Sequence, residues 1–365
     1  MLNIAILQPR VPNYREEFFE GINQKYDIEL YAYLDEKTLK KNAVKEASIK
    51  VKKIAYFSFL KRIQVYNFFP LLNSKYQIII LSAEIRSIST WLLLFILKFT
   101  NRQVVLWGHG ISIPRYLDEE KRLPKIKIIF HKLADQVWLY TDKEKELWSM
   151  YIDANKLISL NNTINTEQIL DMPKLEKYVL KEKYNIKTEI VLIFCAKFST
   201  PYRRTDLMIE IFRSLDSNKY SLIVIGDGQY KPDFSLFKNV YDFGAVYNNN
   251  IKNELFTISD LYFQPAWTGL SIVEAMAYGK PIVTLTRSTE IYQCVEYTYI
   301  KHLINGYIGK NKGDIIEFLK NITPSEIRTL QKSTIEFIQL NLKMDDMIHN
   351  ALYSLEKINH PIKNS

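Results

Sequence analysis

Only two of the 365 residues are cysteines, Cys195 and Cys294, which leaves no disulfide framework and no cysteine-built zinc site. A reducing, cytoplasmic setting is the natural expectation. Glycine is also scarce for an α/β chain, at 11 residues. Long apolar runs are missing. The most hydrophobic stretch, Trp91–Leu97, stops at Lys98 and falls far short of the roughly 20 residues a bilayer crossing needs. Its length points to a buried helix between strands, with a helix dipping into a membrane surface as the alternative. The N-terminus has no basic segment ahead of its short apolar run, so Ile4–Leu7 reads as a buried first strand and not a signal peptide.

Apolar residues make up 47% and charged residues 24%. That is ordinary globular composition, and the length suggests two or three domains. Net charge is +9, unevenly spread: residues 1–165 hold 25 Lys/Arg against 17 Asp/Glu, while residues 166–365 hold 24 against 23. The first half is thus expected to face something anionic. Its densest basic run is Lys37, Lys40, Lys41, Lys45, Lys50, Lys52 and Lys53, with Asp35, Glu36 and Glu46 nearby. A solvated helix face is the plain explanation, and peripheral contact with an anionic membrane is the functional one. No nucleic-acid motif accompanies the charge, so no nucleic-acid partner is expected.

Short apolar runs alternate with amphipathic stretches through both halves. Strands are expected at Ile4–Leu7, Ile28–Tyr33, Ile78–Leu81, Val104–Trp107, Val137–Tyr140 and Leu157–Leu160. A second set follows at Ile190–Cys195, Ser221–Ile225, Val240–Phe243, Leu261–Gln264 and Pro281–Leu285. This alternation argues for two parallel sheets, each covered by helices on both faces. The domains are expected at 1–165 and 166–343, with a C-terminal helix and tail at 344–365.

The most informative stretch is Leu261–Leu285. A strand stops at Pro265, a short loop reaches Gly269, and Ile272, Val273, Ala275 and Met276 supply the buried face of a helix. Gly279 stands where a left-handed cap is expected, just before Lys280-Pro281. A helix starting at the carboxyl end of a parallel strand offers the N–H groups of Gly269, Leu270 and Ser271 to an anion. Glu274, one turn in, is poorly suited to a phosphate but well suited to accept from ribose hydroxyls.

The run Gly269–Val283 resembles the donor-binding motif of the large retaining GT-B glycosyltransferase family numbered four. Leu222–Gly228 resembles that family's strand ending in Gly226-Asp227-Gly228, whose backbone lies near the nucleotide base. Val240–Gly244 with Glu254–Asp260, and Leu157–Thr166, match further segments in the same order. The resemblance implies a GT-B fold: two Rossmann-like parallel-sheet domains facing a cleft, with the C-terminal helix packing back toward the first. It also implies a donor diphosphate clamped by two basic residues. Lys197 stands at the family's Arg position, Arg203 at its Lys position, and Arg204 where Gly is common. In the first half, His109 follows the strand Val104–Trp107 between Gly108 and Gly110, where the family commonly has a His close to the transferred sugar. Arg10, Asn13, Tyr14 and Arg15 are weaker acceptor-site candidates.

What the resemblance implies chemically is a retaining, metal-independent transfer of a sugar from a nucleotide-diphosphate sugar to a hydroxyl of a glycan or lipid-linked acceptor, in surface-polysaccharide biosynthesis. No Asp-x-Asp occurs anywhere, so the metal-chelating device of the other main glycosyltransferase fold is missing, and the donor is a substrate, not a cofactor. One departure stands out. The family's second Glu, eight residues before Glu274, is Ala266 here, so the sugar must be held by other groups such as Trp267, Thr268 or Ser271. The alternatives are a GT-B nucleotide-sugar epimerase, a non-catalytic nucleotide-sugar binder and a basic nucleic-acid binder.

Overall fold

A computed structural model of the chain describes residues 2–33, 49–59 and 63–359. The chain divides into two compact units, Met1–Asn162 with Met344–Ser365, and Thr163–Lys343. Lys37, Lys40, Lys41 and Lys45 of the basic run lie outside the described residues, as do its three acids, and residues 360–365 of the tail.

The first unit is built on seven strands. Across the sheet they run Val51–Lys53, Asp27–Ala32, Asn3–Gln8, Ile78–Ser82, Gln103–Trp107, Gln136–Leu139 and Leu157–Ser159. Every neighbouring pair is parallel. Ile78–Ser82 is buried at every position, as befits a strand covered on both faces. The helix Met344–Asn359 belongs here: Met344, Met347, Ala351 and Leu355 join Phe18, Phe19 and Ile22 in one core. Trp138 Nε1 anchors it by donating to Ser354 Oγ at 2.6 Å.

The apolar run at Trp91–Leu97 forms the helix Ile88–Leu97, started by Ser87, whose hydroxyl accepts from the Thr90 N–H at 3.2 Å. It is only half a core helix. Leu93, Leu94 and Leu97 are buried, while Leu92, Phe95 and Ile96 are exposed. Beside it lies an antiparallel hairpin, Tyr56–Phe59 with Ile63–Tyr66, which the strand–helix alternation does not announce.

The second unit repeats the plan with six strands, ordered Val240–Asp242, Tyr220–Ile225, Ile190–Cys195, Leu261–Phe263, Ile282–Leu285 and Gly306–Gly309. All are parallel. In both sheets the chain starts in the middle, winds out to one edge and then crosses to the other side. The reversal leaves a crevice at the carboxyl ends of the two central strands. In the second unit those strands are Ile190–Cys195 and Leu261–Phe263. Two edge strands escape the sequence pattern: Val51–Lys53 is too basic, and Gly306–Gly309 too rich in glycine, to look like β-structure.

Candidate functional site

The helix Leu270–Ala277 rises from the crevice of the second unit. Its cap residue, Gly269, makes no side-chain capping bond; the Ile272 N–H donates back to Gly269 O at 3.0 Å, and the N–H groups of Leu270 and Ser271 are left for an outside acceptor. Gly269 has φ −112°, and a Cβ there would sit 3.6 Å from Cys294 Sγ. Glycine is therefore not forced by backbone strain, and its missing side chain leaves the helix end open. At the far end Gly279, at φ +70°, closes the helix. Its N–H donates to Met276 O at 2.8 Å and the Lys280 N–H to Ala275 O at 2.9 Å, the two bonds of a Schellman cap.

Arg203 ends the short turn Pro201–Arg203. Its Nε and Nη1 are buried and have no hydrogen-bond acceptor. Burial lowers its pKa, against the pull of Tyr262, Cys294 and Cys195 close by, yet a guanidinium stays charged. Buried N–H donors left without acceptors are costly. Cys294 is thus a shared neighbour of Arg203 and of the Gly269 cap. Lys197 lies half-buried in the loop leaving Ile190–Cys195. Arg204 is already engaged: its guanidinium is forked on Asp206 at 2.8–3.0 Å and donates to Glu290 O at 3.3 Å. It takes φ +50°, a left-handed conformation uncommon for a residue with a side chain.

Glu274 accepts from Lys252 Nζ at 2.7 Å, and the Cys195 thiol lies 3.8 Å from its other oxygen. Burial opposes the charge on Lys252, but the Glu274 carboxylate outweighs it and raises the pKa. Lys252 comes from the helix Asn249–Ile258, and nothing in its local sequence marks it. Arg203, the Gly269 cap and Glu274 therefore gather around Cys195 and Cys294, both free and buried.

Two glutamines hold the loop between strand and helix, and both escaped the sequence reading because buried amides look like surface residues in a sequence. Gln264 and Gln293 are wholly buried. Gln264 Oε1 accepts from Tyr262 and Ser271 hydroxyls at 2.7 and 3.0 Å, while its Nε2 donates to Ala266 O and Trp267 O. Gln293 accepts from the Thr268 N–H and hydroxyl, and donates to Pro265 O, Thr284 and Leu285 O. The hydroxyls of Thr268 and Ser271 are thereby committed within the protein. Trp267 is held at φ +59° with its ring stacked on Tyr202, centroids 5.3 Å apart. Such a backbone angle is an outlier for a bulky residue and needs surrounding bonds to persist. Ala266 is fully buried in the core, so this position turns away from any ligand.

Gly226 and Gly228 adopt φ +143° and +149°. A Cβ would lie 2.1 Å from Ala196 O at the first and 2.5 Å from the Phe198 backbone at the second. Only glycine lets this loop zip against 196–198, through Ala196 N to Ile225 O and Phe198 N to Asp227 O, each 3.0 Å. Asp227 is bound to Lys231 Nζ at 3.0 Å and the Ala245 N–H at 3.1 Å. The Lys231 contact leads in holding its carboxyl below the usual range.

His109 belongs to the first unit, just past Gln103–Trp107, its ring 4.2 Å from that of Tyr140. It is exposed to solvent, and the protein around it and the charges of Arg15 and Lys127 lower its pKa below the ordinary imidazole value. The imidazole is therefore neutral at pH 7. Arg15 is itself structural, buried with bonds to Asn162 Oδ1 and Met347 Sδ and lying against Trp107 and Tyr140. Among the described residues no group of three or more His, Cys, Asp or Glu could hold a metal.

Comparison with known proteins bears on this geometry. Residues 177–326 match the family described as glycosyl transferases group 1. An uncharacterized glycosyltransferase of Haemophilus influenzae is 27% identical over 199 residues, 52% of this chain and 51% of that protein. The match thus spans about half the length of that curated relative. Among solved structures, HepE of Anabaena in complex with UDP superposes with a TM-score of 0.69 at 13% identity, over 98% of this chain and 100% of that one. A glycosyltransferase of Rickettsia africae gives 0.65 at 16% identity, over 100% and 99%. S. aureus TarM, in a mutant complex containing UDP, gives 0.65 at 13% identity, over 99% and 100%. Identities this low speak for a shared fold, two Rossmann-like parallel-sheet units as in GT-B glycosyltransferases.

Proposed function

Because residues 177–326 match the glycosyl transferases group 1 family, we propose that the protein transfers a sugar from a nucleoside-diphosphate sugar to a hydroxyl acceptor. The observation that carries this reading is Arg203: a half-buried guanidinium whose Nε and Nη1 are buried and lack acceptors, near an uncapped helix start at a strand-order reversal. A diphosphate satisfies both features at once. Glu274 then serves the ribose hydroxyls, and Lys252 holds that carboxylate in place. Lys197 adds positive charge toward the leaving group, and the Gly226–Gly228 loop faces the base. Because Ala266 is buried in the core, the sugar is held by groups other than the one found there in similar enzymes.

The chemistry follows from that placement. The acceptor oxygen bonds to the anomeric carbon on the face the diphosphate leaves, the bond to the diphosphate oxygen breaks, and the acceptor proton passes to the departing phosphate. Configuration is retained. Arg203, Lys197 and the helix N–H groups stabilise the leaving charge without a metal. Neutral His109 is suited to hydrogen-bond a sugar or acceptor hydroxyl. The acceptor is a glycan or lipid-linked sugar of a surface polysaccharide, and the enzyme works in the cytoplasm.

Thermal melting against a panel of nucleoside diphosphates tests the reading, since a ligand of the folded state raises the transition by an amount that grows with the logarithm of its concentration over Kd. Stabilisation by one nucleotide, lost in Arg203→Met and Glu274→Gln, is the expected result. No response to any nucleoside diphosphate would overturn it. The core-facing Ala266 favours a second reading, nucleotide-sugar binding without transfer; NMR detection of a new glycosidic linkage with an acceptor would exclude it.

A further inference from the structure

The first unit carries a surface unlike the rest of the molecule. In the hairpin, Phe57 pairs with Val65 and Phe59 with Ile63, and paired and alternate residues share a face. All four are exposed, Phe57 at 63%. The opposite face is the one turned inward: Tyr66 is buried, its N–H donating to Ser89 Oγ at 2.9 Å and its hydroxyl paired with Thr90 at 2.9 Å. The hairpin is therefore inside out, with its polar contacts against the protein and its apolar side toward solvent.

The helix it is pinned to does the same. Ile88, Leu92, Phe95, Ile96 and Phe99 are all exposed, Phe99 at 75%. Their spacing of four, three, one and three residues draws a single stripe along the helix and its end. Isolated exposed apolar residues need no explanation, but a whole hairpin face beside a whole helix stripe does.

Charge identifies the occupant. Residues 47–117 contain ten Lys or Arg and one acid, Glu84, and the excess persists after Lys52 and Lys75 are paired with Glu29 and Arg115 with Glu119. Arg86 and Lys98 flank the helix and are exposed. A protein partner with an apolar patch would not require this one-sided charge, whereas an anionic lipid surface attracts it while taking up the aromatic and aliphatic side chains. No helix among the described residues is long and apolar enough to cross a membrane, so contact of this kind is peripheral.

We propose that the hairpin strands Tyr56–Phe59 and Ile63–Tyr66, with the outer stripe of the helix Ile88–Leu97, form a docking surface for an anionic membrane. The surface inserts Phe57, Phe59, Phe95 and Phe99 at the level of the lipid headgroups, with Arg86 and Lys98 against the phosphates. It lies wholly in the first unit, so the proposal stands apart from glycosyl transfer and does not depend on it.

Co-flotation of the full chain with vesicles decides the matter. Binding is expected to vesicles of phosphatidylcholine and phosphatidylglycerol in equal parts, weaker to phosphatidylcholine alone, and weakened by salt. The pair Phe95→Ser with Phe99→Ser is expected to reduce binding at least about tenfold. Its melting temperature should not fall, since both side chains are already in water. Arg86→Glu with Lys98→Glu is expected to abolish the preference for the anionic vesicle while leaving nucleotide binding intact. Three outcomes would overturn the proposal: no binding to the anionic vesicle, unchanged binding by the Phe variant, or a dimer in solution that the Phe variant dissociates, which would make a second copy the occupant.

Discussion

Replacing Arg203 by Met should move stability and affinity in opposite directions. The side chain is half-buried, its Nε and Nη1 are buried and lack acceptors, and each such donor costs about 1–3 kcal/mol. Met has similar length and no polar atoms, so the ligand-free variant should gain about 1–2 kcal/mol. For a unit of 181 residues, Thr163 to Lys343, that corresponds to a melting temperature about 2–8 °C higher. The same change removes charge-assisted bonds to a diphosphate, worth about 1.5–3 kcal/mol, and weakens its binding about 10–150-fold. Calorimetric melts without nucleotide, with titrations of the nucleoside diphosphate that stabilises the wild type, read both quantities on the same samples. A variant that melts lower and binds the nucleotide equally well would refute the reasoning, because Arg203 would then be a structural cation with no vacancy to fill.

Further outcomes follow from the same geometry. Ala266→Glu restores the carboxylate that similar sequences carry, but the position lies in the core; a loss of about 3 kcal/mol or more is expected, with no gain in donor affinity by calorimetry. Glu29 gives the first unit an acid-sensitive lock. Burial would raise its pKa, yet bonds from Lys52, Lys75, Tyr76 and Tyr31 hold it at about 2, against 4.5 when free. A depressed carboxyl stabilises above its free value and loses that contribution as pH falls from 4.5 toward 2. Urea titrations across this range should show about 3 kcal/mol disappearing, and Glu29→Gln should flatten the loss. His109→Ala should cut transfer at least about a hundredfold while leaving nucleoside diphosphate affinity unchanged. Because the surrounding protein and the charges of Arg15 and Lys127 lower the His109 pKa, any His109 step in the wild-type pH–rate profile should fall below the ordinary imidazole value of about 6.5.

Much of the fold is visible in the pattern of residues. The central strands are short apolar runs, because a parallel strand covered on both faces needs no polar alternation. Gly279 could be placed from sequence because a left-handed cap has few substitutes. The helix start at Gly269 was legible for a related reason: loop, glycine and apolar helix follow one another directly in the chain. The edge strands Val51–Lys53 and Gly306–Gly309 were not, since an edge is paired on one side only and carries little hydrophobic signal.

The sequence by itself determined whatever depends on near neighbours: the strand–helix alternation, the uncapped helix at Gly269, and the Gly226–Gly228 turn. Tertiary structure decided which distant groups meet. It set Lys252 on Glu274, locked the donor loop with Gln264 and Gln293, and sent Ala266 into the core. It also left Arg203 Nε and Nη1 without an acceptor and turned the apolar face of the hairpin outward. Hydrogen bonding and burial are properties of positions in space, and a side chain's composition says what it can bond to but not what the fold will bring within reach.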